Sequence, residues 1–189
     1  MELYWYCIKE MDEKAYQAAL AQMDAAQRKR IGYLPTEDER RRAVAAELLA
    51  RNTLAEKLGC APAQVPLLHD EDDRPYLSDH AWYVSAGHSG QYVVCAIDRK
   101  PVSVAIEVIR TAEEKFMRRM CSEREFAYVR PYEAGGFVRF WECWTAKAAL
   151  FKLSGGEPLV KCSRFALPEG TALDFMIKNG CAVTVVTKL

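Results

Sequence analysis

The order of apolar and polar positions divides this chain into short strands and amphipathic helices. Leu3 to Ile8 is aromatic-rich with partial alternation, which predicts a strand. Asp12 to Gln27 has a helical composition, and the basic cluster Arg28-Lys29-Arg30 follows it. Pro35 to Glu39 predicts a helix start, with Thr36 as cap and Glu39 completing a capping box. Val44, Leu48, Leu54 and Leu58 then fall on roughly one face, and Gly59 is a natural stop. Ala81 to Ala86 and Tyr92 to Ile97 read as strands joined by Gly87-His88-Ser89-Gly90, a connection of hairpin length. Val102 to Ile109 predicts a third strand. Thr111 to Met120 and Ser122 to Arg130 predict two helical pieces, the second opened by the box Ser122-x-x-Glu125. A loop is expected over Pro131 to Gly136. Arg139 to Leu153 then reads as one helix ended by Gly155-Gly156, with Trp141, Trp144, Ala148 and Phe151 along one side. Leu159 to Ala166 and Ala172 to Ile177 are candidate strands. Asn179-Gly180 makes a turn into a last strand, Cys181 to Val186.

A loose echo runs through this order. Tyr92 to Ile97 and Cys181 to Val186 each close a strand-turn-strand that follows a helix, which predicts two similar α+β halves. The length of 189 residues fits one domain or two small ones. The 26 basic and 26 acidic residues cancel, which argues against a general nucleic-acid binder. No apolar run approaches the ~18 residues of a membrane span, and Met1 to Tyr6 lacks a signal-peptide pattern. The seven cysteines are irregularly spaced without a Cys-x-x-Cys pair. That predicts reduced, mostly buried thiols in a cytoplasmic protein and gives zinc little support.

The candidate chemistry lies in the charged positions. Lys147 and Lys152 flank the aromatic stripe, where two ammonium groups would suit a phosphate-rich ligand. The same pattern also fits an amphipathic helix with solvated lysines. Arg40-Arg41-Arg42 can equally be the solvated side of its helix. Glu107 lies between Ile106 and Val108, where a carboxylate is costly unless it is at an edge, ion-paired or on a metal. His88 and Ser89 are sequence neighbours, which reads as turn polarity and not as a catalytic dyad.

Five segments in order resemble the large, monomeric 4′-phosphopantetheinyl transferases of the surfactin-synthetase-activating type. They are Lys29 with the run Arg42 to Arg51; Arg74-Pro75-Tyr76-Leu77, where the family has Lys-Pro-Tyr-Leu; Ser85-Ala86-Gly87-His88-Ser89-Gly90, where it has Asn-Leu-Ser-His-Ser-Gly; Ala105-Ile106-Glu107-Val108-Ile109, where it has Gly-Ile-Asp-Ile-Glu; and Trp144-Thr145-Ala146-Lys147-Ala148-Ala149 with Lys152, where it has Trp-x-x-Lys-Glu-Ala and a further lysine. The resemblance implies an α+β pseudo-dimer, each half a small antiparallel sheet packed against helices. The halves would be 1–101 and 102–189, with the ligand site at their junction. It implies Mg²⁺-dependent transfer of the phosphopantetheine arm from coenzyme A to a serine of an acyl or peptidyl carrier protein, by a cytoplasmic monomer with no nucleic-acid or membrane partner.

Residue by residue, the resemblance implies Lys29, Arg42, Arg74, Pro75, Gly87, His88, Lys147 and Lys152 as coenzyme contacts. Glu107, Lys147 and Lys152 would be catalytic, and Glu107 the metal ligand. The departures are as informative. Of the family's three carboxylate positions, here Glu107, Ile109 and Ala148, only Glu107 remains acidic. Mg²⁺ can be held by one or two carboxylates plus substrate phosphates and water. Ala148 can neither ligate a metal nor accept a proton, and Gly87 replaces a serine. Three readings follow: a divergent transferase, a relative that binds coenzyme A or a carrier protein without transfer, and an α+β interaction module with no ligand.

Overall fold

The computed structural model describes residues 1–130, 136–155, 159 and 162–189. Contacts divide the chain into two compact units, Met1–Arg99 and Lys100–Leu189.

In the first unit, strand β1 (Glu2–Cys7) is followed by helices α1 (Glu13–Ala21), α2 (Ala25–Gly32) and α3 (Glu37–Leu58). The short strands β2 (Leu67–His69) and β3 (Pro75–Leu77) pair with each other, and β4 (Tyr83–Ser89) leads into β5 (Tyr92–Asp98). The sheet is antiparallel in the order β1-β5-β4. The single helix expected over Asp12 to Gln27 is two. Asp24 starts a new helix because its carboxylate accepts from the Gln27 N–H while the Gln27 side chain caps back, a complete capping box. Thr36 and Glu39 form the expected box on α3, and Gly59 closes it in the left-handed region at φ 67°. The buried face of α3 runs through Val44, Ala45, Ala50, Leu54 and Ala55, whereas Leu58 is exposed. The alanines let the helix approach the sheet closely, so small residues share the face that the larger ones predicted. Gly87-His88-Ser89 does not form the hairpin loop. It continues β4 opposite Val94, Val93 and Tyr92, and Gly90 with φ 56° makes the turn.

The second unit has strand β6 (Val102–Val108), helices α4 (Glu114–Met120), α5 (Glu123–Val129) and α6 (Gly136–Ser154), then the hairpin β7 (Thr171–Lys178) and β8 (Cys181–Lys188). Its antiparallel sheet has the order β6-β8-β7. The connectivity therefore repeats that of the first unit: a strand, helices, then a hairpin whose last strand is central. β5 and β8, the echoed segments, are those central strands. Asn179 and Gly180 both take positive φ, 53° and 73°, in the tight turn that the dipeptide predicts. Of the loop expected over Pro131 to Gly136, residues 131–135 lie outside the described residues, as do the stop at Gly156 and the strand reading at Val160 and Lys161, while Gly136 opens α6. Cys162 to Ala166 is irregular and turn structure, not strand.

Helix α6 organises the second unit. Phe140, Trp141, Cys143, Ala146, Ala149 and Leu150 are buried, together with Glu142, Thr145 and Lys147. Burial nearly all round marks a core helix, not a one-faced one. The predicted stripe is correspondingly only part of the story: Trp141 is buried, Trp144 and Ala148 are half-buried, and Phe151 is exposed. Hydrogen bonds fix the helix against the sheet. Thr145 bonds to the Trp141 carbonyl and shares a 2.7 Å hydroxyl contact with Thr184 of β8. Ser103 of β6 donates to the Ala149 carbonyl at 2.7 Å.

Candidate functional site

In the first unit the fold gathers the predicted basic residues into two groups. Arg42, in the second turn of α3, donates to the Gly90 carbonyl at 3.0 Å. That bond seats its guanidinium at the β4–β5 turn, beside the exposed His88. Glu39 registers the same neighbourhood. Its carboxyl lies below the usual range chiefly through the Thr36 hydrogen bond, with the nearby Arg42 and His88 adding to the effect. Gly87 lies one residue earlier on β4 and brings backbone only. The second group joins α2 to the β2–β3 turn. Lys29 is exposed in the last turn of α2, and its neighbour Arg30 pairs with Asp73 at 2.5 Å. Arg74 pairs with Asp70 at 2.9 Å and with Asp72. Pro75 follows it and opens β3 opposite His69.

A buried polar network ties together the elements that carry both groups. Glu47 of α3 pairs with Arg51 at 2.6 Å and with His69 Nε2 of β2 at 2.9 Å. Gln27 of α2 reaches His69 Nδ1 at 3.2 Å. Burial works against the Glu47 charge, but His69, Gln27 and Arg51 outweigh it and hold the carboxyl below its usual range. The amide orientation follows from the cap. Gln27 Oε1 accepts from the Asp24 N–H, which turns its NH₂ toward His69. Nδ1 thus lies toward the Gln27 amide and Nε2 toward Glu47.

In the second unit the two lysines of α6 have separate environments. Lys147 is 2% exposed, and its ammonium pairs with the fully buried Glu125 at 2.9 Å and donates to the Cys162 carbonyl at 2.7 Å. Glu125 also accepts from the Ser122 N–H and the Ser163 hydroxyl, both at 2.8 Å. The reading of Lys147 as a solvated lysine is therefore overturned. It is half of a buried, hydrogen-bonded ion pair. Lys152 is half-buried and donates to the Val104 carbonyl of β6 at 2.9 Å. Residues five apart on a helix point about 140° apart, so one lysine turns toward α5 and the other toward the sheet. Glu107 lies three residues beyond Val104 on β6, 21% exposed and 3.4 Å from Arg110. Ala148 is half-buried beside Leu153 and Leu173 at the edge of a cluster that includes Ala105, Ala149 and Leu150.

The described residues contain no group of three or more His, Cys, Asp or Glu side chains able to hold a metal. The donor set fits Mg²⁺ only as one carboxylate, Glu107, with phosphate oxygens and water completing the shell. No cysteine is disulfide-bonded. Burial pushes the Cys95 and Cys143 thiols up to about 12, so neither is a ready nucleophile. Sequence reasoning missed Glu125, the Glu47–His69 pair and the engagement of Arg74 by its own turn. Glu125 had a visible signal, since it is the glutamate of a capping box. The other two join residues far apart in the chain or within an acidic turn.

Comparison with known proteins finds similar sequences. Residues 10–100 match a sequence model described as 4′-phosphopantetheinyl transferase, N-terminal. A 4′-phosphopantetheinyl transferase of Bacillus subtilis is 25% identical over 142 residues, 72% of this chain and 62% of that protein. The 4′-phosphopantetheinyl transferase gsp of Aneurinibacillus migulanus is 28% identical over 139 residues, 73% of this chain and 58% of its own length. The 4′-phosphopantetheinyl transferase psf-1 of Bacillus pumilus is 27% identical over 118 residues, covering 61% and 50%. The chain thus spans 50% to 62% of the length of these relatives.

Proposed function

We propose that this chain, a divergent member of the 4′-phosphopantetheinyl transferase superfamily, moves the phosphopantetheine arm of coenzyme A onto a serine of an acyl or peptidyl carrier protein. The observation that carries the reading is the match over residues 10–100, which contains Lys29, Arg42, Arg74, Pro75, Gly87 and His88. Lys29, Arg42, Arg74 and His88 supply the cationic and hydrogen-bonding groups that a coenzyme with a 3′-phosphate and a pyrophosphate requires. Lys152 adds a cation at the pyrophosphate. Lys147, committed to Glu125, supports this chemistry by anchoring α6. In the reaction the serine oxygen bonds to the β-phosphorus, the bond to the bridging oxygen breaks, and adenosine 3′,5′-bisphosphate leaves with that electron pair. Mg²⁺, held by Glu107 and the pyrophosphate, would neutralise the charge that develops there. The protein works as a monomer, and its free cysteines suit the cytoplasm.

Ala148 favours a second reading, a relative that binds coenzyme A or a carrier protein with little or no transfer. A methyl group cannot take the serine proton, which then passes to solvent. One experiment separates the readings: incubation with coenzyme A, Mg²⁺ and apo carrier proteins, followed by intact-mass analysis for the added arm. Ala148→Glu is its informative arm. Position 148 is one turn from Lys152, and a positioned base contributes ~10²–10⁴-fold. The variant is expected to transfer faster than the parent. Coenzyme A binding without transfer by either protein supports the second reading, and no coenzyme A binding removes the first and leaves the second only as a carrier-protein binder.

A further inference from the structure

We infer that the Asp70–Asp73 turn acts as an internal anion that occupies Arg30 and Arg74, and that a phosphorylated ligand enters by displacing Asp72 and Asp73, recruiting Arg30 as an additional phosphate contact. The inference rests on the proposed coenzyme A site. The division of labour within the turn supports it. Asp70 builds the turn: its Oδ1 accepts from the N–H groups of Asp72 and Arg74 at 3.0 and 2.9 Å. Asp72 and Asp73 do not shape the backbone through their carboxylates; they pair with Arg74 and Arg30. Both are exposed, so ligand oxygens can compete for the two guanidinium groups.

Two observations show that the Arg30 pairing is incomplete. Arg30 Nε is buried with no hydrogen-bond partner, although Asp73 engages an Nη nitrogen of the same group. A buried donor left unmade is costly, and a phosphate offers more acceptor oxygens than one carboxylate. Asp73 itself is poorly settled. Partial burial outweighs the pull of Arg30 and raises its carboxyl above the usual range, and its backbone is left-handed at φ 64°. A multiply charged phosphate can exceed what the turn offers, whereas a single carboxylate cannot. The turn therefore selects for multiply charged phosphate ligands over single carboxylates.

Calorimetric titration with coenzyme A and, separately, with inorganic pyrophosphate tests this on the full chain. The proteins are the parent, Asp72→Asn, Asp72→Asn/Asp73→Asn, and the double variant carrying Arg30→Gln. Asparagine tolerates the left-handed conformation at 73, and Asp70 is retained, so the turn keeps its shape. Each removed carboxylate is expected to tighten binding roughly two- to fivefold, the scale of an exposed ion pair. Arg30→Gln is expected to cancel the part gained at Asp73. Equal or weaker binding of both probes by the double variant overturns the inference, as does a gain that survives Arg30→Gln undiminished. Pyrophosphate binding that tightens in the variants while coenzyme A binds none of them keeps the displaceable turn and removes the coenzyme A reading. Coenzyme A binding equally to all of them does the reverse.

Discussion

The Lys147–Glu125 pair shows how one residue's environment decides its role. Both groups are buried, and the bonds that hold them, to each other, the Cys162 carbonyl, the Ser122 N–H and the Ser163 hydroxyl, are charge-assisted. Removing one partner leaves the other as an uncompensated buried charge, which costs about 3–5 kcal/mol. Lys147→Met is therefore expected to lower the urea midpoint sharply, and Lys147→Met/Glu125→Leu to recover part of the loss because no charge remains stranded. Equal destabilisation by the single and double variants would show that the ion pair is not the cause. Lys147 and Lys152 look alike in the sequence, five residues apart on one predicted helix. What separates them is Glu125, twenty-two residues earlier than Lys147, and no local pattern shows that long-range pairing. The same limit hid the Glu47–His69 contact. Arg74 differs, because its partners Asp70 and Asp72 lie within four residues and the pairing was open to a local reading.

Elements were more legible than residues. Capping boxes at Thr36 and Ser122, the Gly59 stop and the Asn179-Gly180 turn all form as their local chemistry dictates. The misjudged boundaries have local causes too. The break at Asp24 is a capping box inside a helical composition, and β4 runs through Gly87 because β5 offers a full set of partners opposite it. Ser122 links an element boundary to the buried pair, since its Oγ accepts from the Glu125 N–H and its own N–H donates to the Glu125 carboxylate. Ser122→Ala removes only the first bond. A lost cap of this kind costs about 1 kcal/mol. Amide exchange should quicken in the first turn of α5 while the core of β8 stays protected. Unchanged exchange in α5 would mean that Glu125, not the serine hydroxyl, holds the helix start.

At the scale of the whole molecule, each unit buries one polar network among its helices: Glu47, Arg51, Gln27 and His69 in the first, Lys147 and Glu125 in the second. This has a consequence for acid stability. The Glu47 carboxyl is lowered in the fold from its ordinary 4.5. Its contribution is thus fully present above that value and is lost as pH falls through the lower folded value. Glu47→Gln should therefore flatten the decline of the melting temperature below about pH 4.5. It should also destabilise the first unit at neutral pH, because Arg51 and His69 lose their shared acceptor. Thermal scans from neutral to pH 3 would check this, and parallel parent and variant curves would place the acid-sensitive group elsewhere. No helix among the described residues is long and apolar enough to cross a membrane.

The hydroxyl pair between Thr145 and Thr184 constrains how this sequence can change. Each threonine is fully buried, and each satisfies the other across the gap between helix and sheet. Valine has nearly the same shape, so a core with valine at both positions would lose the hydroxyl pair and the bond to the Trp141 carbonyl but strand no hydroxyl. A single replacement at Thr145 leaves the Thr184 hydroxyl without this partner. The reverse replacement is gentler, because Thr145 also bonds to the Trp141 carbonyl. A lineage leaving this pair thus has a preferred first step, at Thr184. Chains descended from this one should carry valine at 184 with threonine at 145 more often than the opposite combination.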